Sequence, residues 1–328
     1  MEPAEMIELW RGSLREGVHR GHAVIHDGTD IVHAWGDPNA VIFPRSSCKM
    51  VQALPLLESG AADAAGLGPE QLALACASHN GAHIHVSRVA AWLDRLGFRE
   101  ADLRCGSHEP RDKDERARLL FDAEHPCQLH NNCSGKHAGF LTMNRHLKGG
   151  SEYVEIDHPL QRAIREATAE VAQEEPAGYG IDGCSAPNFA MTVTALARSM
   201  AAFAQPGSDR RGDAMARLVR AMCAHPDLVA GEGRACTLLM RAMGGRVAVK
   251  TGAEAVFIAI IPEKKLGIAL KIEDGGTRAS EAAITALLIH LGLLQPAHPV
   301  AVHLLSGKQK NWRGLITGEL RTAPGFPV

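Results

Sequence analysis

The order of elements along the chain predicts an α+β fold. Strand-like segments open the chain, helix-like segments fill its middle, and β-branched strands followed by one long apolar helix close it. Strands and helices that are segregated rather than alternating argue for an antiparallel sheet with the helices gathered apart from it. The expected layout is one unit over 1–328. Strands from 1–40 and 245–328 would share one sheet, and 41–244 would be mainly helical.

The N-terminal segment reads as a meander. Segments 7–11, 22–26 and 30–35 are strand-like, and Asp27-Gly28 between the last two is a hairpin signal, because glycine tolerates the positive φ such turns need. From Pro44 an apolar run reaches Leu57 and stops at Ser59-Gly60, which predicts a helix with Pro55 as an irregularity. Pro69 stands where a helix's first residue is expected, with helix continuing over 72–77. Apolar spacing predicts helices over 86–96 and 134–147, with 104–112 polar and loop-like between them. Asp157 is expected to cap a helix that contains Pro159 and runs to Val171. Further helices are expected over 192–204 and 209–223, divided by Pro206-Gly207-Ser208. Strands are expected over 246–251, 256–261 and 266–272, then a helix over 279–294.

A chain of 328 residues can bury a sizeable core without disulfide staples. Its apolar fraction of 45% is too high for disorder. The formal charge of −2 lacks the basic excess of a nucleic-acid-binding protein. The longest apolar helical stretch, 282–294, is about 13 residues, where a bilayer span needs about 20. No membrane or nucleic-acid partner is expected. The start, Met1-Glu2-Pro3-Ala4-Glu5, is acidic where a secretory leader is basic. The eight cysteines therefore read as reduced thiols of a cytoplasmic protein.

Three short motifs could carry chemistry. In Ser46-x-x-Lys49 the two side chains would share one helix face. A serine hydroxyl is a poor nucleophile until a base takes its proton. A lysine at its ordinary pKa is neutral about once in 2,500 at pH 7, a penalty of roughly 4.6 kcal/mol. Burial or a second cation nearby recovers much of that penalty. Alone, the motif is more often a capping serine and a surface lysine. Lys250-Thr251-Gly252 at a strand end and Ser78-His79-Asn80 after a helix are equally weak alone. Together they follow the chain order of the active-site motifs of class A β-lactamases and penicillin-binding proteins, although the spacing differs. Lys49 and Lys250 in one site would each disfavour the other's charge, pairing Ser46 with Lys49 and Ser78 with Lys250. The implied chemistry is amide hydrolysis through an acyl-serine. Cys133 and Cys184 lie in polar, glycine-containing loops rather than in a C-x-x-C pair, so spacing alone favours two free thiols.

At these residues the chain resembles the bacterial asparaginase II family, the Rhizobium-type or class 3 L-asparaginases. The likeness spans nearly the whole chain. Its most specific stretches are Leu129-His130-Asn131-Asn132-Cys133-Ser134-Gly135-Lys136-His137-Ala138-Gly139-Phe140 and Ile181-Asp182-Gly183-Cys184-Ser185-Ala186-Pro187-Asn188-Phe189. The resemblance implies a serine-β-lactamase-like fold, a homodimer, and hydrolysis of L-asparagine to L-aspartate and ammonia. It implies two Ser–Lys tandems, Ser46 with Lys49 and Ser78 with Lys250, and zinc held by Cys133, Lys136 and Cys184. A ligating lysine must be neutral, which the cation itself would enforce. Arg45, Asn80, His137 and Asp182 are expected to line the substrate site. Ser46 is the expected nucleophile, with Ser78 the alternative. A glutaminase, a β-lactam-recognising enzyme and a zinc- or amino-acid-binding protein are the competing readings. One departure stands out. After Ser78 the family reads close to His-Ser-Gly-Glu-Pro, whereas this chain has His79-Asn80-Gly81-Ala82-His83.

Overall fold

The computed structural model describes residues 1–327. The chain divides into two compact units, one of residues 1–42, 192–205 and 238–328, the other of 43–191 and 206–237.

The first unit is built on an eight-stranded sheet. Its order is Gln309–Lys310, Ile316–Thr322, Ala4–Arg11, Leu14–His26, Leu266–Ile272, Val256–Ile261 and Ala248–Thr251, with Ile31–Trp35 also paired to Leu14–His26. The pairing is antiparallel, with Ile25 opposite Ile268 and Ala269 opposite Ile258. N- and C-terminal strands thus share one sheet, as the order of elements predicts. Residues 256–261 read Val-Phe-Ile-Ala-Ile-Ile and all are buried; β-branched residues in an unbroken apolar run suit a strand covered on both faces. Helices Val193–Ala204 and Thr277–His290 supply the cover. Gly267 permits close approach, since a Cβ there would stand 2.3 Å from the Ala197 carbonyl oxygen. The expected turn forms at Asp27-Gly28. Gly28 has φ +98, and Asp27 Oδ1 accepts from the amides of Thr29 and Asp30.

The second unit is mainly helical. Its longer helices are Pro69–Ala75, His83–Arg95, Lys113–Phe121, Ser134–Leu147, Pro159–Ala172 and Arg210–Ala224. The expected long helix from Pro44 is instead a 3-10 turn, Arg45–Cys48, followed by two short helices, Lys49–Gln52 and Leu54–Glu58. Pro55 sits in the first turn of the second, where its missing N–H costs nothing. Helix Pro159–Ala172 is capped by His158, whose Nδ1 accepts from Leu160 N at 3.1 Å, rather than by Asp157. A hairpin of Gly178–Ile181 and Pro187–Thr192 interrupts the helical region. Its glycines and proline hide the strand signal. Among the described residues no helix is long and apolar enough to cross a membrane.

Candidate active site

The helical unit buries a polar cluster that begins at Lys49. The turn over 45–48 aims this lysine inward, and its side chain is 1% exposed. Its Nζ donates to the Ala77 carbonyl, to Ser78 Oγ at 3.0 Å and to Cys133 Sγ at 3.0 Å. The hydroxyl that Lys49 meets is therefore Ser78. Ser46 is half-buried, and no hydrogen bond joins it to Lys49 among the described residues. Ser78 follows helix Pro69–Ala75 and is held by its own amide, which donates to the Val229 carbonyl at 2.9 Å.

The string His130 to His137 is a scaffold with few idle atoms. Asn131 Nδ2 donates to the carbonyls of Cys105 and Gly106, and its Oδ1 accepts from Cys133 N at 2.8 Å. Ser134 Oγ donates to the Leu129 carbonyl and accepts from His79 Nε2 at 3.0 Å. Because His79 Nδ1 accepts from Gly81 N, its proton sits on Nε2. Burial, then the nearby His85, pushes His79 well below its ordinary pKa, so it is neutral. Gly135 lets helix Ser134–Leu147 press on the helix ahead of Ser78: a Cβ there would lie 2.4 Å from the Leu74 carbonyl oxygen. Positions 133, 136, 137 and 140 recur at three- and four-residue spacing and share one face.

On that face Lys136 Nζ lies 3.0 Å from Cys184 Sγ and 5.1 Å from the Phe140 ring centre. Cys184 comes from the hairpin loop, where Ser185 adopts φ +69 and its amide closes on the Asp182 carbonyl. Interaction with Cys184, then burial, raises Cys133, and interaction with Cys133, with Lys136 helping, lowers Cys184 well below its ordinary value. Burial works against the charge on Lys136, but the two sulfurs outweigh it and hold the ammonium.

These residues fit the zinc that the family likeness implies. Two sulfurs and one amine converge in a dry site, and thiolate is the ligand form zinc takes. Among the described residues no three His, Cys, Asp or Glu side chains could hold a metal ion, so the set is complete only with Lys136. Binding must displace the lysine's proton.

The expected substrate-lining residues divide. His137 Nδ1 shares a hydrogen bond with the Tyr153 hydroxyl at 2.9 Å, and that oxygen also accepts Arg104 N. Its Nε2 is buried and has no partner among the described residues, one residue from Lys136. Arg45 donates from Nη2 and Nε to Asp182 Oδ1 at 2.8 and 3.2 Å. Burial works against the Asp182 carboxylate, yet Arg45 and the charge of Lys136 hold it below its usual range. Arg45 itself adopts φ +52, the left-handed region that non-glycine residues rarely occupy and that clusters at functional sites. Asn80 is buried, and its amide is taken by Asp112 and by the backbone at Ala82. Lys250 belongs to the sheet unit, fully buried on Ala248–Thr251, with Nζ donating to the Thr251 carbonyl at 2.8 Å.

Sequence reasoning missed Tyr153, one of only two tyrosines, and Arg234. The Nη1 of Arg234 is buried without a partner, beside a turn whose Gly231 abuts the Asn80 side chain. An arginine inside a glycine-rich turn was the available signal.

Among solved structures, the crystal structure of Mglu in its native form with 4.3 M NaCl is 14% identical at a TM-score of 0.48, covering 85% of this chain and 63% of that one. A β-lactamase from Mycobacterium bovis is 13% identical at 0.45, covering 84% and 95%. The chain spans just under two thirds of the Mglu structures it matches. These are distant likenesses, and the α+β class rests on the chain's own sheet and helices. No curated relative matches significantly. The family model described as L-asparaginase II, however, matches residues 7–322. The chain belongs to the L-asparaginase II family.

Proposed function

We propose that the protein hydrolyses L-asparagine to L-aspartate and ammonia through an acyl-serine intermediate. The observation that carries this reading is Lys49 Nζ at 3.0 Å from Ser78 Oγ in a buried setting, a base within reach of the proton it must take. In this reading Ser78 Oγ attacks the side-chain amide carbon as its proton passes to Lys49. The same proton then goes to the leaving nitrogen, the C–N bond breaks, and ammonia departs. Water, deprotonated by Lys49, cleaves the β-aspartyl ester. Ser46, the nucleophile expected from sequence, is the competing assignment. The buried, unpartnered His137 Nε2 is a polar group available to the substrate.

Cys133, Lys136 and Cys184 would hold zinc. When bound, that ion supplies charge compensation for the thiolates and Lewis-acid polarisation of a carbonyl. The reading includes a cytoplasmic homodimer, which light scattering checks for oligomeric state.

The test is ammonia release from L-asparagine, with L-glutamine and a chromogenic β-lactam as rivals. Asparagine turnover with an acyl adduct mapped to Ser78 by mass spectrometry supports the reading, and an adduct on Ser46 reassigns the nucleophile. Faster glutamine turnover replaces the substrate. Asparagine binding by calorimetry without ammonia makes the protein a binder.

A further inference from the structure

One nucleophile outside this cluster has the parts of an activated thiol. Cys127 is partly exposed and opens the 3-10 turn Gln128–His130. Its Sγ lies 3.4 Å from His130 Nδ1. The other ring nitrogen, Nε2, lies 3.2 Å from Glu115 Oε1. Nδ1 also accepts the amide of Cys127 at 3.1 Å, so the ring proton belongs on Nε2, facing the carboxylate. Glu115 is buried and fixed by Arg118, at 2.9 and 3.2 Å. Thiol, imidazole and carboxylate thus stand in the order nucleophile, base and orienting group.

We propose that Cys127 is a reactive thiol that accepts a low-molecular-weight disulfide, with His130 as its base and Glu115 holding the imidazole. The thiol proton passes to His130 Nδ1. The thiolate attacks one sulfur of the incoming disulfide, the S–S bond breaks, and the departing thiolate takes the proton from His130. The product is a mixed disulfide on Cys127, and no electron donor or acceptor beyond the disulfide is needed. Charges around the sulfur act in opposite senses. Burial and Glu100 oppose thiolate, while His130 and the Leu129 amide favour it and prevail. His130 is raised first by Cys127 and then by Glu115, against burial.

Cys223 supplies the internal reference. It is also partly exposed, but burial alone raises it to about 11. The experiment treats the whole protein with oxidised glutathione or iodoacetamide between pH 5.5 and 9.5 and maps adducts by mass spectrometry. At pH 6.5 Cys127 should react at least tenfold faster than Cys223, with its half-rise below the ordinary thiol value of about 8.5. Glu115→Gln should slow Cys127 severalfold at pH 6.5 and shift its profile upward, leaving Cys223 unchanged. Equal rates at the two cysteines, or an ordinary thiol profile at Cys127, would overturn the proposal. Should Glu115→Gln not fold, the wild-type profile against Cys223 decides alone.

Discussion

The two units bury different things. The core of the sheet unit is hydrocarbon, with Val24, Ile25, Phe257, Ile258 and Leu287 fully covered. The interior of the helical unit holds Lys49, Lys136, His79, His137, Asn131 and Ser134, all buried. Buried polar groups are costly unless satisfied. In the helical unit most of them find partners, as Lys49 does in Ser78 and His79 in Ser134, while His137 Nε2 and Arg234 Nη1 have none among the described residues. The sheet unit also buries polar groups, among them His26, Ser280 and, fully covered, Lys250.

Replacing Ser78 gives the sharpest break in that contrast. Ser78→Ala should lower kcat by about 10³-fold or more, equivalent to roughly 4 kcal/mol, with a melting temperature close to wild type. Steady-state ammonia release with parallel thermal melts checks this. Lys250→Met tests the sheet unit's buried lysine. A buried lysine replaced by a hydrophobe of similar length should leave or raise stability, so a large fall in kcat would assign the lysine to catalysis, and unchanged turnover would make it structural.

Cys184→Ser tests the donor set. Elemental analysis should find stoichiometric zinc in the wild type and little in the variant. Retention of the metal would remove Cys184 from the ligands.

A smaller effect sharpens the comparison, because each unit contains a glycine at a close approach. Gly135→Ala and Gly267→Ala both place a methyl within 2.4 Å of a helix carbonyl oxygen, and each should cost about 1–3 kcal/mol by overpacking. Their effects on activity should differ. The Gly135 variant displaces the helix that carries Lys136 and His137 and should lose activity below its melting temperature. The Gly267 variant should keep its turnover until it unfolds.

Legibility in the sequence followed the same division. Val256–Ile261 and Leu266–Ile272 stand at the residues that periodicity and β-branching mark, because local composition and burial there agree. Helix Lys113–Phe121 was invisible: its first residues are charged, and its start depends on Asp112 capping Glu115 N. Around the site, types and spacing picked out Lys49 and Ser78, and Cys133 and Lys136 came only from the family resemblance, yet spacing joined Lys49 to Ser46, whereas the hydrogen bond runs to Ser78. Between the two residues the chain passes from the 3-10 turn Arg45–Cys48 into a separate short helix, Lys49–Gln52. Tyr153 and Arg234 reach their positions through loops, for which the chain carries no periodic signal.

The smallest expected effect concerns acid and base limits on the helical unit. Burial opposes the Glu115 carboxylate, but Arg118 and His130 outweigh it and hold its pKa below the ordinary 4.5. A lowered acid stabilises the fold above its unfolded value and loses that contribution as pH falls through the folded one. His130 is raised above 6.5, so its contribution is complete below 6.5 and fades as pH rises through the folded value. Both are therefore at full strength only between about 4.5 and 6.5. The melting-temperature gap between wild type and Glu115→Gln should be widest in that window. It should narrow below it as Glu115 protonates, and above it as His130 loses its proton. Thermal melts from pH 3.5 to 8.5 measure the gap directly. A gap that is flat across the range would mean that Arg118 alone sets the state of Glu115 and that His130 carries no charge in the folded protein.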